Sequence, residues 1–107
     1  MELSEGGAQY SFESAIGTDG SATLRIRGEV DLANVTSLRT AVEELLTQNP
    51  SRLIFELAEL SFVDSSGLAL LVEAAERSDD VEVRNPSALV RRIIEGTGLT
   101  QVLRMTP

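Results

Sequence analysis

Leu60-Ser61-Phe62-Val63-Asp64-Ser65-Ser66-Gly67-Leu68 is the stretch of the 107-residue chain whose reading decides the fold. Just upstream, Arg52 to Leu57 contains Leu53, Ile54, Phe55 and Leu57, a short and nearly continuous apolar run. Such a run predicts a strand covered on both faces and central in its sheet. Just downstream, Leu68 to Arg77 is rich in Leu and Ala, the composition of a helix packed against a sheet. A strand that passes through a polar, glycine-containing turn into a helix is the repeating unit of an α/β fold with parallel strands.

Working outward, Tyr10, Phe12, Ser14 and Ile16 keep a period of two, and after the Gly17 to Gly20 turn Leu24 and Ile26 alternate with Thr23, Arg25 and Arg27. Two strands joined as a hairpin are expected, the second ended by Gly28. Asp31 precedes Leu32, Val35, Leu38, Val42, Leu45 and Leu46, spaced as one stripe of an amphipathic helix that Pro50 closes. Val81 and Val83 predict a short strand. Asn85, as a cap before Pro86, opens a third helix through Leu89, Val90, Ile93 and Ile94 that Gly96 or Gly98 ends. Val102, Leu103 and Met105 predict a last strand. The fold class is therefore α/β: a mixed sheet of four to five strands with three or four helices packed mainly on one face. It forms a single domain over residues 9–107 behind a mobile, polar segment 1–8.

Composition narrows the function. Nine basic residues, all Arg, stand against seventeen acidic ones, a net charge of −8. Such a field repels phosphate backbones and anionic membrane surfaces, so no nucleic-acid role is expected. No apolar run approaches the roughly 20 residues of a membrane span, and Met1 to Gly7 lacks the basic start and apolar core of a signal peptide, so a cytoplasmic location is expected. The absence of Cys, His and Lys removes thiol chemistry, imidazole bases, Lys-activated nucleophiles and the usual transition-metal ligands. No catalytic site and no cofactor are expected.

Within the deciding stretch, Ser65 and Ser66 stand where a strand hands over to a helix. A hydroxyl there sits among unpaired backbone N–H groups at the positive end of the helix dipole, where an added phosphate would be held. Either serine is a candidate phosphorylation site. The simpler reading is that Asp64 or Ser65 caps the helix and Gly67 relieves crowding. Asp31 and Asp64, both on strand-to-helix loops, are also candidates for a hard-cation site such as Mg²⁺. Gly28-Glu29-Val30-Asp31 approaches the Asp64 loop if their strands are neighbours. Arg84, Arg91 and Arg92 form the one basic cluster visible in the sequence.

From about Tyr10 to Met105 the chain resembles the STAS domains of bacterial anti-sigma factor antagonists. The resemblance is carried by Gly28-Glu29-Val30-Asp31, by Phe62-Val63-Asp64-Ser65-Ser66-Gly67-Leu68, and by Pro86-Ser87-Ala88-Leu89-Val90-Arg91-Arg92 through Thr97-Gly98-Leu99. It implies that Ser65 is the residue phosphorylated by the anti-sigma factor, itself a serine kinase that binds the ATP. It further implies that the unphosphorylated chain binds this kinase and releases the sigma factor, that phosphorylation ejects it, and that a metal-dependent serine/threonine phosphatase resets it. The implied docking surface comprises Asp31, Asp64, Ser65, Ser66, Gly67 and Leu68. Two positions depart from the family pattern: Ala69 where a Gly is frequent, and the short Ser78-Asp79-Asp80 where a Gly-Gly turn is common. The alternative within the same fold is an unphosphorylated accessory module of a multi-protein assembly, such as the cytoplasmic side of a membrane transporter. A small enzyme using Asp31 and Asp64 with a bound cation is a third class.

Overall fold

The structure, a computed structural model, describes residues 4–7, 10–101 and 103–107. Strand β2 (Tyr10–Ile16) and strand β3 (Ala22–Val30) form the expected hairpin, in register from Tyr10 opposite Gly28 to Ile16 opposite Ala22. The turn between them closes through Gly17 N–H donating to Ser21 O, with Gly20 at a φ of +85°. The outer strand β1 (Ser4–Gly7) pairs antiparallel with β2, one strand more than the sequence predicts. It falls within the 1–8 segment expected to be mobile; residues 1–3 and 8 of that segment lie outside the described residues, as does Val102 of the expected last strand.

Three βα units follow. Helix α1 (Val35–Leu46) leads to β4 (Leu53–Val63), α2 (Ser65–Arg77) to β5 (Val81–Arg84), and α3 (Ala88–Gly96) with a 3-10 turn (Leu99–Gln101) to β6 (Arg104–Thr106). In space the strands lie in chain order, β1 to β6, and β3, β4, β5 and β6 are parallel. Crossovers between parallel strands are right-handed, and three that advance in one direction deliver their helices to one face. The core fills the space between: Phe12, Leu24, Ile26, Phe55, Leu57 and Leu60 from the sheet meet Leu38, Leu45, Leu70, Leu71, Val90 and Ile94 from the helices.

That one-sided layering corrects three expectations. Strand β4 is central, but only one of its faces is covered: Ile54 is buried on the far side, whereas Glu56 is half-buried and Ala58 exposed. With all helices on the opposite face, the far face instead carries ion pairs such as Arg27 with Glu59 (2.7 Å) and Glu13 (3.1 Å). Gly28 does not end β3; at a φ of +89° it makes an irregularity in the pairing with β4, and the strand runs on to Val30. Asn85 does not cap α3. It sits at a φ of +53° and its side chain donates to Glu56, while Ser87 Oγ accepts from Val90 N–H as the cap.

Candidate functional site

Strands β3 and β4 end side by side: Val30 is paired with Val63, and Asp64 N–H donates to Val30 O at 3.1 Å. The loop after β3 and the first turn of α2 are thereby brought together. Asp64 is the helix cap, its Oδ1 accepting from Ser66 N–H (2.9 Å) and Gly67 N–H (3.2 Å) while its carbonyl accepts from Leu68 N–H. Ser66 Oγ donates to the same Oδ1 at 2.5 Å. These bonds, led by the Ser66 hydroxyl and joined by the Leu32 backbone N–H, hold the Asp64 carboxyl below the ordinary aspartate value against the opposing effect of burial.

The two serines are thus unequal. Ser66 is half-buried and committed to Asp64, whereas Ser65 is the exposed first residue of α2, and its hydroxyl has no partner among the described residues. The vacancy expected at the helix N-terminus is also partly filled, because Asp64 already takes two of the amides that a phosphate would have used. Gly67 is required by close approach: a Cβ there would overlap Val63 Cγ2 and stand 3.0 Å from Val30 Cγ1. Leu68 is half-buried in the same turn, packed against the core.

Asp31 is half-buried at the foot of the neighbouring loop, where its Oδ1 accepts from Ala33 N–H (2.9 Å). Asn34 binds this loop from within: its Oδ1 accepts from Asp31 N–H (3.0 Å) and its Nδ2 donates to Glu29 O (2.8 Å). The helix therefore begins at Val35, not at Leu32. Leu32 lies outside the apolar stripe and is 77% exposed. Asn34 escaped the sequence reading, which places Leu32 wrongly in the helical stripe, although Asp31-x-x-Asn34 is a pattern whose short polar side chains bind nearby backbone. Among the described residues no three acidic, His or Cys side chains converge as metal ligands.

The basic cluster dissolves in three dimensions. Arg84 joins Arg52 (3.6 Å) and Arg104 (3.0 Å) around Glu82, a carboxylate only 4% exposed, while Arg91 and Arg92 lie on α3. Among the described residues no helix is long and apolar enough to cross a membrane.

A mixed sheet with three helices on one face is the architecture of a STAS domain. The family model described as Mlab, STAS domain matches residues 15–106, and the chain belongs to this family. A similar curated protein is the anti-sigma-F factor antagonist RsfB of Mycobacterium tuberculosis, 32% identical over 90 residues that make up 81% of this chain and 74% of that one. Among solved structures, the anti-sigma factor antagonist SpoIIAA in its unphosphorylated form superposes with a TM-score of 0.77 at 25% identity, covering 90% of this chain and 88% of that one. An anti-sigma factor antagonist from Mycobacterium paratuberculosis reaches a TM-score of 0.85 at 24% identity over 92% and 86% of the two chains, a likeness of fold.

Proposed function

We propose that the chain is an anti-sigma factor antagonist that, unphosphorylated, binds a serine-kinase anti-sigma factor and frees the sigma factor, and that phosphorylation of Ser65 ends this binding. The observation that carries the reading is the inequality of the two serines: Ser65 is exposed at the start of α2, while Ser66 is tied to Asp64. In the transfer, Ser65 Oγ attacks the terminal phosphorus of the ATP bound by the partner. The new O–P bond replaces the bond to ADP, and the hydroxyl proton passes to a base of the kinase. This chain is the substrate and the ligand, not the catalyst. A metal-dependent serine/threonine phosphatase reverses the modification.

The charge argument supports the same cycle. Phosphorylation adds about −1.5 to −2 charge at neutral pH. The new group arrives next to the ionised Asp64, with Asp31 on the adjoining loop and the exposed Glu29 at the end of β3. Since Asp64 holds the Ser66 and Gly67 amides, the phosphate is not neutralised by them and projects its charge at the partner. Docking of Asp31, Asp64, Ser65, Ser66, Gly67 and Leu68 then fails through repulsion and desolvation.

The test is intact-mass analysis after incubation with the serine-kinase anti-sigma factor and ATP, comparing the native chain with Ser65→Ala and Ser66→Ala. One phosphate on the native chain and on Ser66→Ala, and none on Ser65→Ala, is the expected result. Full phosphorylation of Ser65→Ala overturns the assignment. An unmodified native chain, with a kinase active on another substrate, favours the unphosphorylated accessory module.

A further inference from the structure

We infer that Leu32 is the apolar anchor through which the chain docks on its kinase, seated in a depression beside the partner's nucleotide site; the inference rests on the reading given under Proposed function. A single exposed leucine is ordinary on a protein surface. Leu32 differs from that background in how it is held. At 77% exposure it is the most exposed large apolar residue among the described residues, and it stands in a loop bound by the side chains of Asp31 and Asn34. Asn34 bridges Asp31 N–H and Glu29 O, and Asp31 accepts from Ala33 N–H, while Asp64 N–H donating to Val30 O keeps this loop next to the cap of the Ser65 helix. Three hydrogen bonds from two side chains therefore hold the backbone that displays this apolar side chain near Ser65. Little backbone entropy then remains to be lost when the leucine is covered, and what is lost is the modest rotamer freedom of one side chain, a condition that favours binding.

The occupant follows from chemistry. A kinase that transfers phosphate to Ser65 must bring its bound ATP to that hydroxyl, so whatever surrounds Ser65 lies against the rim of the nucleotide site. A site that holds a triphosphate is electropositive. Asp31 precedes Leu32 directly, the exposed Glu29 stands at the end of the strand before it, and Asp64 lies on the adjoining strand end, within a net charge of −8. An apolar centre in an acidic neighbourhood fits a surface with a small apolar depression and a basic rim. It also divides the work: the carboxylates steer and orient the encounter, and the leucine supplies the desolvated contact that sets the dissociation rate.

The experiment measures binding of the unphosphorylated chain to the serine-kinase anti-sigma factor by calorimetry, for the native chain, Leu32→Ala, Leu32→Asp and Leu89→Ala. Leu89, 50% exposed on α3, reports general surface stickiness. The inference expects about tenfold weaker binding for Leu32→Ala and at least about a hundredfold for Leu32→Asp, with Leu89→Ala within about twofold of the native chain. Melting temperatures of all variants should stay at the native value, since Leu32 packs outside the core. Native-like affinity of Leu32→Ala, or an equal loss in Leu89→Ala, overturns the inference while leaving the phosphorylation cycle intact. If the native chain itself fails to bind or to be phosphorylated, the functional reading falls, and the anchor with it.

Discussion

Replacing Gly67 by Ala exchanges two opposed effects whose sizes can be weighed. Alanine is favoured over glycine in a helix interior by about 0.5–1 kcal/mol. At the third residue of α2 only part of that is realised, because the first turn is already closed by Asp64. Against it stands a methyl group that overlaps Val63 Cγ2 and presses on Val30 Cγ1 at 3.0 Å. Both valines are buried, Val63 4% and Val30 1% exposed, and both belong to the ends of the strands that carry the site. Their β-branched side chains have few alternative rotamers. The void bordered by Val30, Val63 and Gly67 measures only about 10 Å³, the lower limit for a single water, so Val63 has nowhere to retreat. Overpacking of this kind costs about 1–3 kcal/mol. The net expectation for Gly67→Ala is a loss of about 1–2 kcal/mol, a fall in melting temperature of roughly 5–15 °C for a domain of this size. Thermal unfolding by circular dichroism measures it. Gly96→Ala is the matched control, since a Cβ there meets no atom within 4 Å and the variant should melt at or above the native temperature. Adding Val63→Ala to Gly67→Ala should relieve the overlap, making the double variant more stable than the sum of the two single losses by at least about 0.5 kcal/mol. A Gly67→Ala chain as stable as the native one would refute the steric argument outright.

Two further outcomes follow from the charged groups. Ser66→Ala removes the largest contribution to the lowered Asp64 pKa. A carboxyl-carbon NMR titration should find Asp64 moved up towards the ordinary aspartate value, and an unchanged midpoint would show that the backbone amides alone suffice. Glu82 is raised by burial but lowered further by hydrogen bonds from Arg84, Arg104 and Thr106, so its folded value lies below the ordinary glutamate value of 4.5. A depressed folded pKa stabilises the fold above the unfolded value, and this contribution is lost as pH falls through the folded one. Glu82→Gln should therefore cost about 1–3 kcal/mol at pH 7, with the gap to the native chain closing as pH drops below about 4.5. A gap that stays constant from pH 7 to pH 3 in denaturant titrations would contradict this.

The alternation of strand and helix was legible because period-two and helical stripes are carried by the core residues themselves. The misreadings arose where a local signal competed with a tertiary one. Leu32 is spaced correctly for the α1 stripe, but the Asp31 and Asn34 side chains bind the backbone between them and delay the helix until Val35. Gly28 reads as a terminator and proves to be an irregularity inside β3. Asn85 before Pro86 reads as a cap, yet Asn tolerates the left-handed conformation it adopts and Ser87 takes the role. The apolar run of β4 suggested two covered faces, and which faces are covered is fixed by the direction of the crossovers, which no window of sequence contains. At the site, the residues read alone located Asp64, Ser65 and Ser66 without ranking them, since Asp and Ser are equally good caps, and only the family resemblance singled out Ser65. A physical reason for the difference between the serines needed the bond from Ser66 Oγ to Asp64.

The sheet's order has a consequence for how the chain acquires its shape. Every strand pairs with the strand that precedes it in the chain, from β1 to β6. During synthesis, at about 5–20 residues per second, each emerging βα unit meets a template edge that already exists and waits for no later segment. The hairpin of β2 and β3 offers an edge to β4, β4 to β5, and β5 to β6. Closing distances stay short at every step, which keeps the entropic cost of each addition low. Assembly on the ribosome can thus proceed as stepwise growth, with the strands that lead into Asp31 and Asp64 joined before β5 and β6 are added.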